Sequence, residues 1–168
     1  MNFYIALGTV DFLEKLREKH KKENMATFYN NETAILLHET TNKSVFAAPR
    51  RYEVLAGTGD IDSARFAALT YVPVTEEGKP LFEYNITQTN SMTQNTSGLV
   101  AFRALRPIKS DTFVIASFWM KESYYLDWTR SPAFLQLEQM IDKTKAGINQ
   151  AVFSGPVYTK TFHSLQDD

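Results

Sequence analysis

The sequence contains no cysteine, which removes disulfide bonds, thiolate metal centres and cysteine nucleophiles together. It also lacks long hydrophobic runs: no apolar stretch approaches the roughly 18 residues needed to cross a bilayer. The opening MNFYIALGTVDF has neither the basic start nor the apolar core of a secretory leader. No charge sign dominates, with 18 Lys and Arg against 19 Asp and Glu, so neither nucleic acid nor an acidic membrane is expected as a partner. Histidines are few, and His20, His38 and His163 lack the i,i+2 or i,i+4 partner of a metal site. There is no GxSxG turn. Gly57-Thr58-Gly59 is too short for a phosphate loop, and Arg50-Arg51-Tyr52 alone is a weak basic patch for a nucleic acid. These absences leave a soluble protein, expected in the cytoplasm.

What the sequence has in quantity is aromatic residues, 13% of the chain, with twelve Phe and eight Tyr. Flat, wide side chains fill a core, and they also line pockets for flat apolar ligands. The alternation of Phe3, Ile5 and Leu7 predicts a strand over 2–8. Asp11 with Glu14 resembles a capping box opening a basic helix to about Lys22, with Phe12, Leu13 and Leu16 inward. Strands are expected over 26–29 and 34–38, joined at Asn30-Asn31 by a tight turn of positive φ. A short helical piece is expected around Tyr52 to Leu55. Gly57 and Gly59 then mark a break that divides residues 1–60 from 61–168.

The second half reads as a strand over 66–74, then a polar helical segment over 79–93 with Leu81, Phe82, Ile86 and Met92 at helical spacing. Strands over 99–106 and 113–120 follow, joined by the PIKSD turn. Residues 122–143 are helical, and Ser131-Pro132 within them is a start signal, so two helices should meet at a kink. A last strand is expected from about Pro156 to His163. This order, β-α-β-β-α-β, is the split βαβ pattern of ferredoxin-like α+β folds. Such a sheet leaves one apolar face bare. The N-terminal half, itself β-α-β-β and a short helix, is expected to cover it, completing a barrel within one chain and favouring a monomer over a homodimer.

Three positions stand out as candidate site residues. Trp128 lies one helical turn after Tyr124 beside the kink, as a core anchor or as a wall against a ligand between helix and sheet. On a wheel with Phe134 at zero, Leu137 falls at about −60°, Ile141 at about −20°, Leu135 at about +100° and Glu138 at about +40°. A carboxylate in that arc must be paired, with Arg103, Arg106 or Arg130 as candidates, must face a solvated cavity, or must take a raised pKa. Thr70 is the one polar residue on the face shared by Phe66, Ala68, Val72 and Val74. It is either a tolerated β-former or the polar handle of an apolar cleft.

The run GLVAFRALRPIKSDTFVIASFWMKESYYLDWTRSPAF, residues 98–134, resembles the antibiotic-biosynthesis-monooxygenase domain of the IsdG-type haem-degrading enzymes. GTVDFL, AILLHET, APRRYEV and PVTEEGKPLFE extend the resemblance over nearly the whole chain, towards the two-part members of Bacillus and the staphylococcal target of RNAIII-activating protein. The resemblance implies a haem pocket between helix and sheet, with haem as both substrate and cofactor, an external reductant, and ring opening by O2. It puts Trp128 at the porphyrin-pressing Trp, Glu138 at the iron-ligating His and Thr70 at the distal Asn. A carboxylate is a poorer haem-iron ligand than imidazole, so the implied oxidative activity is weakened or lost. The other functions implied are a non-enzymatic stress or signalling protein and a cofactor-independent monooxygenase acting on an aromatic substrate.

Overall fold

The computed structural model describes residues 1–89, 93–146 and 155–165. Eight antiparallel strands close into a barrel in the order β1-β3-β2-β8-β5-β7-β6-β4. The first half supplies β1 (Asn2–Gly8), α1 (Val10–Lys19), β2 (Met25–Tyr29), β3 (Ala34–Thr40) and β4 (Arg50–Gly59). The second supplies β5 (Phe66–Pro73), α2 (Lys79–Ile86), β6 (Leu99–Pro107), β7 (Thr112–Trp119), α3 (Glu122–Trp128), α4 (Pro132–Ala146) and β8 (Tyr158–Ser164). The expected α+β, ferredoxin-like class and the barrel completed within one chain are both present.

Alternation along each strand sorts side chains into an interior and an exterior set. Phe3, Ile5, Phe28, Ile35, Leu37, Leu69, Leu105, Val114, Phe118 and Phe162 fill the barrel. The outer face of β5, β6 and β7 carries Phe66, Val72, Phe102, Phe113, Ile115 and Trp119, which α2, α3 and α4 cover. A smaller cluster, with Leu13, Leu36 and Phe46, lies under α1.

Four local expectations are corrected. Residues 52–55 are strand, not helix: β4 pairs with β1 and β6, with a bulge between Val54 and Ala56. Thr9, not Asp11, caps α1, its hydroxyl accepting from the Phe12 N–H at 3.2 Å. Shifting the start turns Phe12 outward, 60% exposed, while Leu13 is buried. Asn30 turns the β2–β3 corner without positive φ, its Oδ1 accepting from the Glu32 and Thr33 N–H groups at 2.9 and 3.0 Å. Met92 lies outside the described residues.

Both ends of the barrel are polar. At one end Arg103, on the interior face of β6 between Ala101 and Leu105, reaches Glu39 of β3 in two bonds of 2.6 and 3.0 Å. Its remaining N–H groups donate to the carbonyls of Thr58 (2.6 Å), Phe102 (2.8 Å) and Gly59 (2.8 Å). Gly57 is required beside it, since a Cβ there would fall 2.9 Å from Arg103 Cδ. The opposite end is formed where β4 and β8 begin and the β6–β7 turn crosses.

Candidate functional site

The helix–sheet face is built by the predicted kink. Ser131 Oγ donates to the Trp128 carbonyl at 2.6 Å, finishing α3, and accepts from the Phe134 N–H at 3.3 Å, starting α4. Gly98, at φ 76, lets the Tyr124 ring seat against the backbone and anchors the start of α3. The two helices then press an aromatic cluster onto β7. Trp128 has ring centroids 5.3 Å from Trp119 and 4.9 Å, edge-on, from Phe134. Tyr125 sits 5.5 Å from Phe66, and burial pushes its phenol pKa up. Trp119 satisfies its indole N–H on Ser117 at 2.9 Å, whereas the buried Trp128 Nε1 has no partner among the described residues.

The three candidate residues stand on three elements of the helix–sheet face: Trp128 on α3, Glu138 on α4 and Thr70 on β5. Trp128 is buried, 6% exposed, as an anchor of that cluster. Glu138 is exposed, which corrects its inward placement. Among the described side chains of α4 the buried ones are Leu137, Met140 and Ile141, an arc running from about −120° to about −20° on the same wheel. Leu135, which had drawn the arc the other way, is 53% exposed. None of the three proposed arginines pairs with Glu138. Arg103 points into the barrel, Arg106 pairs with Glu53 and Glu83, and among the described residues Arg130 makes no ion pair. Thr70 does lie on the outer face of β5, half-buried, but its hydroxyl is bonded to that of Thr159 on β8 at 2.8 Å.

Haem, the group this fold family implies, does not fit these residues. Glu138 offers a carboxylate where an axial ligand is needed, and the donors that hold haem iron are imidazole, thiolate, thioether or phenolate. His163 lies on the same sheet face but packs edge-on to Phe66, 5.2 Å between centroids, four residues along β5 from Thr70. The hydroxyl meant for a distal oxygen shares a hydrogen bond with Thr159 in which either group can be the donor. Among the described residues no group of three His, Asp or Glu could hold a metal ion, and no helix is long and apolar enough to cross a membrane.

A second place was missed. At the open barrel end a cleft of about 530 Å³ is lined by Arg50, Arg51, Tyr52, Tyr71, Lys109 and Tyr158, among others. These come from four separate segments. Only Arg50-Arg51-Tyr52 carried any signal in the sequence, as a short basic and aromatic run. Burial raises the Tyr52 phenol pKa and pushes that of Tyr71 up to about 12, with Arg50 nearby opposing both.

Residues 65–139 match the antibiotic biosynthesis monooxygenase family. The signal transduction protein TRAP of Staphylococcus epidermidis is 26% identical over 134 residues, 80% of each chain. The heme-degrading monooxygenase of Listeria monocytogenes is 24% identical over 148 residues, 87% of this chain and 89% of that one. Among solved structures, a major regulator of staphylococcal pathogenesis superposes with a TM-score of 0.85 at 22% identity, covering 98% of this chain and 99% of that one. The heme-degrading enzyme of Listeria monocytogenes superposes with a TM-score of 0.74 at 22% identity, covering 97% and 99%. The family match spans β5 into α4, the same elements that build the helix–sheet face, and on it this chain carries an antibiotic biosynthesis monooxygenase domain.

Proposed function

We propose that this protein is a non-haem-degrading member of its family, acting in signalling or stress response. The observation that carries this reading is the donor at position 138: a carboxylate, Glu138, stands where haem turnover needs an imidazole. Similarity to the signal transduction protein TRAP of Staphylococcus epidermidis supports it. The division near residue 60 belongs to the same reading: residues 1–60 supply strands to the barrel, and 61–168 hold the family domain.

A second reading keeps haem, or a similar flat apolar ligand, as something bound without turnover. It rests on the buried Trp128 Nε1, which has no partner among the described residues, unusual for an interior indole. Haemin titration followed by Soret absorbance separates the two. The first reading expects no saturable shift at micromolar haemin. A shift saturating at one haem per chain and abolished in Trp128→Ala would establish the second. Loss of the Soret band on adding ascorbate under air would overturn both.

A further inference from the structure

The open end of the barrel has the composition of a small-molecule site rather than of a sealed end. Its cleft of about 530 Å³ falls within the usual range for such sites. The floor is aromatic. Tyr52 and Tyr71 are buried members of the barrel interior, and Tyr158 stacks on Tyr71 with centroids 4.9 Å apart and planes inclined by 17°. Tyr158 is 44% exposed, so its ring extends the stack towards solvent.

The rim is cationic. Arg50 and Arg51 open β4, and the Arg51 carbonyl accepts from the Ile108 N–H at 2.9 Å, which ties β4 to the β6–β7 turn. Lys109 sits in that turn at φ 75, a left-handed conformation that glycine adopts with least strain. An exposed lysine is held there instead. Among the described residues, none of these three cations has a carboxylate within ion-pair distance. Both buried phenols stay protonated at neutral pH and so remain O–H donors.

We propose that this cleft binds an aromatic phosphate monoester of nucleotide size, its ring stacked on Tyr158 and its phosphate held by Arg50, Arg51 and Lys109. A phosphate monoester carries about −1.5 to −2 at neutral pH and presents three strong acceptor oxygens. A carboxylate, with a single charge, would leave two of the three cations unmatched. Guanidinium forks pair with phosphate oxygens two at a time. A nucleic-acid strand needs a continuous basic track, whereas these cations are gathered at one cleft. The site is separate from the helix–sheet face, so it does not depend on the haem reading above.

The test is calorimetric titration of the full chain with AMP, beside adenosine, inorganic phosphate and 4-hydroxybenzoate. AMP should bind at one site per chain, about tenfold or more tighter than any of the three, and weaken with added salt. Arg51→Gln and Lys109→Gly should each lose about fivefold or more in affinity, with a melting temperature unchanged or, for Lys109→Gly, raised. Tyr158→Ala should weaken AMP and leave inorganic phosphate unaffected. The proposal fails if AMP binds no tighter than inorganic phosphate, or if 4-hydroxybenzoate matches it. It fails equally if Lys15→Gln, on α1 away from the cleft, weakens AMP as much as Arg51→Gln.

Discussion

Replacing Arg103 by methionine should be among the most damaging single changes in the barrel interior. Arg103 and Glu39 are 7% and 10% exposed, and they join strands that are not neighbours in the sheet. Removing the cation leaves a buried carboxylate without its partner, a change that costs roughly 3–5 kcal/mol. It also strips the Thr58, Phe102 and Gly59 carbonyls of a donor. Since domains of this size are stable by about 5–15 kcal/mol, Arg103→Met should leave a marginal fold. Urea unfolding followed by tryptophan fluorescence measures it. Arg103→Met with Glu39→Leu removes the orphaned charge, so the double variant should recover at least about 1.5 kcal/mol over the single one, the carbonyls accounting for the remainder. Gly57→Ala attacks the same seat sterically, its new Cβ falling 2.9 Å from Arg103 Cδ, and should cost about 1–3 kcal/mol. A loss below about 1 kcal/mol in Arg103→Met, or a double variant no better than the single, would refute the reasoning.

Three further outcomes are expected. Tyr71 has its pKa raised from 10.0 to about 12 by burial, so the folded state resists ionisation and stability falls as pH rises through that window. The Tyr71 share of that loss should be about 2–3 kcal/mol, so Tyr71→Phe should lose that much less than the parent over the same range, with phenolate absorbance following the titration. Trp128→Ala should cost about 3–5 kcal/mol, whereas Trp128→Phe should stay within about 1 kcal/mol because it also removes an unpartnered buried N–H, both read by urea unfolding. The hydrogen bond from Arg17, aided by Thr27, holds Glu14 below its ordinary 4.5 against the opposing effect of burial. Its contribution to stability is therefore present above pH 4.5 and lost as pH falls through the lower folded value, and Glu14→Gln should flatten that acid limb in melting curves.

Much of the fold was legible because it follows from local periodicity. Phe3, Ile5 and Leu7 alternate, Ser131-Pro132 interrupts a helical pattern, and both appear where the residues put them. The strand at 50–59 was not legible. Tyr52 and Leu55, three apart, fit helical spacing and not strand alternation, and only pairing with β1 and β6, distant in sequence, with a bulge between Val54 and Ala56, decides for strand. Glu138 shows a different limit. A wheel ranks positions relative to one another, but Phe134 and Leu135 pulled the apparent centre of the apolar arc towards Glu138. The sheet selects Leu137, Met140 and Ile141 instead. Resemblance could align Trp128, Glu138 and Thr70, yet it carries no information on whether each side chain points at the same space. The cleft at the barrel end was invisible for a topological reason: Arg50, Tyr71, Lys109 and Tyr158 become neighbours only when the barrel closes.

That closure has an internal symmetry which explains how a one-sided site can exist. Advancing every strand number by four maps the order β1-β3-β2-β8 onto β5-β7-β6-β4, so the halves are related by rotation about the barrel axis. Each half lends its fourth strand to the other, β4 to β6 and β8 to β2. Under this relation the β6–β7 turn corresponds to the β2–β3 turn, and the start of β4 to the start of β8. The charges do not correspond. The β2–β3 turn carries Glu32, which pairs with Lys160 near the start of β8 at 3.5 Å. Its counterpart carries Lys109 beside Arg50 and Arg51, with no such partner among the described residues. A barrel made from two identical chains would have to repeat every charge on both sides of the axis. Joining the halves in one chain removes that requirement. One side of the rim can then pair its lysine, while on the other Arg50, Arg51 and Lys109 make no ion pair among the described residues. Substituting Glu32→Gln should therefore leave AMP affinity nearly unchanged, whereas a reversal at the other turn, Lys109→Glu, should abolish it, and equal effects from the two would contradict a one-sided site.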